Sequence, residues 1–198
     1  MATVVANMSM SLDGFIADPA DGVEHLFGWY DNGDVTVPTA DPGLTFHVSD
    51  ASAAHLRAML GNVGALITGR HLFDVAKGWG GNHPVGCPVF VVTHSIPEGW
   101  PRDDAPFTFV TEGGVEQAVT QAKAVAGDKI VAIASAHIAQ QCLSAGLLDA
   151  IAVELVPVLL GEGIRFFDHL SGTPIMLENP RVVEGTGVTH LYYRVKPH

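Results

Sequence analysis

Positive charge is scarce in this chain: Lys and Arg number 10 against 21 Asp and Glu, a formal charge of -11. Nucleic acids and anionic membranes both select a basic face, so general binding to either is excluded. Cysteine is scarcer still. Cys87 and Cys142 stand in unrelated contexts, forming neither a metal spacing nor a disulfide framework, which fits a reducing cytoplasm. The opening MATVVANMSM has no basic stretch and is read as no signal peptide. Apolar runs are interrupted by Glu154 and Pro157 and stay too short to span a bilayer. The ten histidines are scattered without an HExxH motif, so no metal site is expected. Also absent are a P-loop, GxGxxG and Gly-x-Ser-x-Gly, which leaves no single-motif nucleotide site or hydrolase elbow. There is no internal repeat and no low-complexity linker. A soluble, cytoplasmic protein is expected, and any nucleotide site must be assembled from several strand ends.

What is present is an α/β pattern. The chain has 198 residues, 47% of them hydrophobic, which fits one domain spanning 1–198 with a long loop or insertion at about 17–49. The organising stretch is Lys129 to Asp168. Lys129 to Ile133 is a short apolar run of strand composition. Ser135 offers an N-cap hydroxyl, and Ile138, Ala139, Cys142 and Leu143 follow at helical spacing up to Gly146. Ile151 to Leu160 is a second strand, closed by the tight turn Gly161-Glu162-Gly163. A helix start directly after a buried strand aims free N–H groups at one spot, which suits a phosphate as readily as an unliganded crossover.

Other strand exits carry polar residues. Ala65 to Thr68 is a buried strand followed by Gly69-Arg70-His71. Arg70 there either grips phosphate bidentately or pairs with a carboxylate such as Asp74. Val89 to Val92 exits into Thr93-His94-Ser95, a phosphate holder or a solvated turn. Thr3 to Met10 is a first strand running into Ser11-Leu12-Asp13-Gly14. In the weakly periodic segment 17–49, Phe27, Trp29 and Tyr30 either roof a planar ligand or pin their own loop. Leu56, Met59, Leu60 and Val63 share a helical face, as do Val115, Ala118, Val119, Ala122 and Val125. Ile175 to Val183 and Val188 to Val195 read as a terminal antiparallel hairpin around Gly185-Thr186-Gly187.

Four segments in order, MSLDGFIA (10–17), Thr68-Gly69-Arg70, QQCLSAGLLD (140–149) and PVLLGEGIRF (157–166), resemble the dihydrofolate reductase-like family. The similarity is greatest to the reductase domain of bifunctional riboflavin-biosynthesis deaminase/reductases and its stand-alone relatives. The resemblance implies a mostly parallel central sheet flanked by helices, with the antiparallel hairpin at its C-terminal end. It also implies NADPH, bound through Thr68, Gly69, Arg70 and His71, through Thr93, His94 and Ser95, and through Ala134, Ser135, Ala136 and His137. On the substrate side it implies Ser11, Trp29 and Gly161. Asp13 is the candidate for orienting substrate or relaying a proton, or else for stabilising its turn; Glu162 is second.

The activity implied is reduction of a small heterocycle, as in 5-amino-6-(5-phosphoribosylamino)uracil reductases of riboflavin biosynthesis, by a homodimer. A pterin, carbonyl or imine reductase competes, as does a non-catalytic nucleotide- or flavin-binding protein. The family's usual Gly-Gly-Ala is here Ala134-Ser135-Ala136, and a trans bond is expected between Ala134 and Ser135.

Overall fold

The computed structural model describes residues 2–197. Its central strand, β1 (Val4–Ser11), alternates by pleat. Ala6, Met8 and Met10 go to one face, and Asn7 and Ser9 find polar partners on the other. The turn at Asp13-Gly14 leads to β2 (Phe15–Ala17). The segment expected as a loop carries its own elements: α1 (Glu24–Phe27), a 3-10 turn over Gly28–Tyr30, and a hairpin of β3 (Val35–Pro38) and β4 (Thr45–Val48). Leu26, Trp29, Val37 and Val48 from it are buried against Ala53 and Leu56. Trp29 and Tyr30 therefore pin the segment to the core, while Phe27 stays exposed.

Helix α2 (Asp50–Asn62) is capped by Ser49, whose side chain accepts from the Ser52 N–H. It leads into β5 (Val63–Gly69), α3 (Arg70–Val75), β6 (Val89–Val92) and β7 (Phe107–Val110). Then follow α4 (Gly114–Ala126), β8 (Ile130–Ile133), α5 (Ala136–Ser144) and β9 (Ala150–Val156). A short β10 (Ile164–Arg165) pairs with β2, and β11 (Arg181–Gly185) with β12 (Val188–Arg194) form the last hairpin.

Eight strands form one sheet in the order β11-β12-β9-β1-β8-β5-β6-β7. From β9 to β7 all neighbours are parallel, and β12 joins β9 antiparallel. The apolar runs over β5, β6 and β8 are buried because helices cover both faces: α4 and α5 on one, α2 and α3 on the other. Ile67, Ile133 and Phe166 are fully buried, each contributing about 1.5–3 kcal/mol of transfer free energy. Two strands are shorter than the sequence predicts. β9 stops at Val156 because Pro157 has no N–H to donate. The first hairpin arm begins after Pro180, and Leu177 keeps only an isolated bridge to Val195. Among the described residues no helix is long and apolar enough to cross a membrane.

Candidate active site at the strand ends

A step in the sheet shapes the site. β8 ends at Ile133, level with Ala6 of β1 and Ile67 of β5. β1 runs on from Asn7 to Ser11 beside β9 alone, so the chain leaving β8 opens a notch along the β1 edge. Ala134 continues one bond further, donating its N–H to Ile67 O at 3.1 Å. The Ala134–Ser135 bond is trans; among the described residues the cis bonds are Trp100-Pro101 and Thr173-Pro174. Ser135 holds the N-cap position of α5 in ordinary extended backbone, but its side chain makes no capping hydrogen bond. The hydroxyl expected to cap instead lies over Gly69: a Cβ there would meet Ser135 Oγ at 3.0 Å. Glycine at 69 lets the β5 and β8 exits close on each other, and the first-turn N–H groups of α5 have no side-chain acceptor. Thr68, fully buried, reaches Ala134 O only at 3.4 Å. His137, one turn before Gln141, contacts its amide at 3.3 Å.

Arg70 is already engaged. Its Nε donates to both Asp74 carboxylate oxygens at 2.8 Å, and Nη1 donates to Ser95 O at 2.9 Å. The Asp74 pairing is thus realised, yet the same guanidinium ties the β5 exit to the β6 exit. There Thr93 Oγ1 donates to Ser95 O at 2.8 Å, folding Thr93-His94-Ser95 into a tight turn with His94 exposed. His71 Nε2 meets Asp21 Oδ1 at 2.8 Å. The loop after β2, knotted by Asp18 accepting from Ala20 and Gly22, therefore rests on the start of α3.

Asp13 clamps two turns together. Its Oδ1 accepts from Ser11 Oγ at 2.6 Å and from Leu160 N at 3.1 Å, and its Oδ2 accepts from Gly161 N at 2.7 Å. The Ser11 hydroxyl, then the two backbone donors, outweigh desolvation and lower the carboxyl to about 2. The carboxylate thus holds the Ser11–Gly14 turn against the turn at Leu160 and Gly161. Ser11 is fully buried, its oxygen also accepting from Phe15 N at 2.9 Å. Glu162 is exposed beside Gly161. At Gly163, with φ 143, a Cβ would lie 2.1 Å from Ala17 O, so only glycine lets this turn pass β2. Trp29 is 2% exposed, stacks on Tyr30 and donates Nε1–H to Ser9 Oγ at 3.2 Å. Its indole is packed within the core.

The profile of the RibD C-terminal domain matches residues 2–179. The chain belongs to that family. No curated protein matches it. Among solved structures, a protein from Shewanella sp. PV-4 named for riboflavin biosynthesis superposes with a TM-score of 0.71 at 23% identity, covering all of both chains. Dihydrofolate reductase from Enterococcus faecalis, solved with NADP(H) and RAB-propyl, gives 0.57 at 13% identity, covering 98% of this chain and 97% of its own. The Thermotoga maritima diaminohydroxyphosphoribosylaminopyrimidine deaminase/5-amino-6-(5-phosphoribosylamino)uracil reductase gives 0.62 at 11% identity over 98% of this chain. This chain spans 57% of that bifunctional protein's length. At these identities the likeness establishes the dihydrofolate reductase-like fold.

This RibD C-terminal domain protein also holds a buried polar network that no sequence motif marks. Glu154 on β9 lies between Ser9 of β1 and His190 of β12. It is 2% exposed, as is His190. His190 Nδ1 makes a short hydrogen bond to Glu154 Oε2, His55 Nε2 lies 3.0 Å from Oε1, and Asn7 Nδ2 donates to Oε1 at 3.1 Å. Burial alone would raise the Glu154 carboxyl, but the hydrogen bonds from His190 and then His55 hold it below the usual carboxylate range. Burial, then the Glu154 charge, pushes the Tyr30 hydroxyl up. Ser52 Oγ sits 2.9 Å from His190 Nε2, which completes the connectivity of a Ser–His–Glu nucleophilic triad. Ser52 is 1% exposed and a Cβ at Gly185 would lie 2.3 Å from its Oγ, so no acyl group can approach. The available signal was Glu154 itself, a charge inside an apolar run, since a buried carboxylate demands partners.

Proposed function

We propose that the chain is an NADPH-dependent reductase of a small heterocycle, with the ribosylamino-pyrimidine of riboflavin synthesis as its acceptor. One observation carries this reading: the exits of β5 and β8 meet at the uncapped start of α5 beside the free edge of β1, and Arg70 ties the β6 exit to them. Ligands of open parallel sheets lie where strand ends meet, and a helix start presents N–H groups and positive potential to phosphate. In this reading the N–H groups of Ala136 and His137 hold the pyrophosphate. Arg70, Thr93 and Ser95 hold the outlying phosphate, and the notch between Ala134 and β1 receives the nicotinamide.

When bound, the cofactor supplies the hydride. The chain's own residues do the positioning. Gly69 lets the two exits close around the cofactor site, and Asp13 fixes the turn 160–161 over the substrate side. Support for the pyrimidine acceptor comes from the family and from its bifunctional relative. The chain works, on this reading, as a homodimer: an apolar groove of about 400 Å³ lined by Leu12, Leu155, Leu177, Leu191 and Tyr193 lies beside the C-terminal strands.

The test combines three measurements on the purified full chain. NADPH binding is followed by fluorescence, and NADPH oxidation with the ribosylamino-pyrimidine and a panel of pterins and carbonyls by absorbance. Sedimentation reads the mass. Saturable NADPH binding with oxidation dependent on the pyrimidine is expected. Binding without turnover of any acceptor would leave a nucleotide-binding protein, and a chain of 20.9 kDa at micromolar concentration would remove the dimer.

A further inference from the structure

We propose that His55, Glu154 and His190 form a site for a divalent ion of the zinc class, independent of the reductase reading. Two imidazoles and a carboxylate are a recurrent zinc donor set. Here they come from α2, β9 and β12, and one ligand atom of each lies within 4.8 Å of the others. Tetrahedral zinc with bonds of about 2.0–2.1 Å separates its ligand atoms by about 3.4 Å. Small side-chain adjustments reach that spacing, with the ion replacing the protons that His55 and His190 share with Glu154.

Two further features go beyond the three donors. Metal-bound histidines direct their second nitrogen to a fixing group, and ligating carboxylates are themselves hydrogen-bonded. His190 Nε2 is held by Ser52 Oγ at 2.9 Å, and Glu154 Oε1 takes the Asn7 amide at 3.1 Å. Stacking of the His55 and His190 rings at 4.1 Å, with Trp29 edge-on to His190, sets the imidazole planes.

The third point is access. The His55 side chain is 17% exposed, whereas those of Glu154 and His190 are nearly sealed. Three protein ligands and one solvent-facing side leave a fourth coordination position beside α2. That position is not remote from the strand-end site. Asn7 follows Ala6, the β1 residue level with the end of β8, and Glu154 lies opposite Ser9. The ion would therefore lie at least two strand spacings, about 10 Å, across the sheet from Ala134 and about two residues further along the strands.

The test uses untagged full-length protein stripped with a chelator and then dialysed against Zn²⁺ or Co²⁺. Wild type should retain one equivalent, show the visible absorption of tetrahedral Co²⁺, and melt at higher temperature with Zn²⁺ than without. His55→Ala removes the least buried of the three ligands and leaves the Glu154–His190 pair, so it should fold. It should bind at least about tenfold more weakly and lose the thermal gain, by analogy with the 10–100-fold cost of lesser changes around a metal. Asn7→Ala should weaken binding less. Absence of saturable binding in wild type, or binding that His55→Ala leaves unchanged, would overturn the proposal and leave a network held by protons alone.

Discussion

The strand ends around Gly69, Arg70 and Ser135 and the buried core network are both polar, but they are built on opposite terms. At the strand ends the donors are backbone N–H groups and half-exposed side chains. Arg70, 34% exposed, is engaged by Asp74 and Ser95 yet close to water. In the core, Glu154 meets His55, His190 and Asn7 with almost no water available, and each partner satisfies another. Removing a member of the first group exposes the remainder to solvent, which replaces what was lost. In the second, removal strands a buried charge or imidazole. Stability should therefore reside in the core network and ligand affinity at the strand ends.

The largest effect follows directly. Glu154→Ala, measured in chelator to exclude any ion, should lose about 3–5 kcal/mol in urea unfolding, the range for a broken buried pair. Arg70→Ala should stay within about 0.5 kcal/mol of wild type, as solvated surface sites do. Equal losses in the two variants would erase the distinction between the regions.

Affinity should invert that ranking. Arg70→Ala should weaken NADPH binding by about 1.5–3 kcal/mol, as for a hydrogen bond to a charged group. The double variant Ala134→Gly, Ser135→Gly should tighten it by less, because two Cβ atoms leave the approach to the α5 start. Titration by fluorescence quenching reads both. Unchanged affinity in Arg70→Ala together with no gain in the double variant would place the ligand away from these exits.

Asp13 lies between the two regions, half-buried yet fully hydrogen-bonded like the core, and its effect is the smallest. Its carboxyl is lowered from 3.8 to about 2 by Ser11 and the Gly161 and Leu160 N–H groups. A group depressed on folding stabilises above its unfolded value, and the benefit fades as pH falls through the folded one. The stability gap between wild type and Asp13→Asn should accordingly be widest above about pH 4 and close towards pH 2. A gap independent of pH would mean that the turn is held by its backbone bonds and not by the carboxylate.

Much of the frame is local and was readable along the chain. Continuous apolar runs specify buried parallel strands, as at Ala65 to Thr68 and Val89 to Val92. The i, i+4 spacing of Arg70 and Asp74 already contained their ion pair. Glycine at 69 and the helix start after Ile133 marked where strands end. All of these depend on neighbours within about one turn or one strand, so the order of residues suffices.

Tertiary structure decided the rest, because the partners are far apart in sequence and their meeting depends on strand order and register. His55 and Glu154 are 99 residues apart and meet only because α2 crosses the face where β9 and β12 pair. The 147-residue reach from Asp13 to Leu160 needs β1 and β9 in parallel register. The hydroxyl of Ser135 had two possible uses, helix cap or packing against Gly69, and the proximity of β5 to β8 selected the second. Trp29 went to the core for the same reason. With Ser9 and Tyr30 at its sides and the hairpin of β3 and β4 behind it, burying an indole gains more free energy than holding it over open solvent.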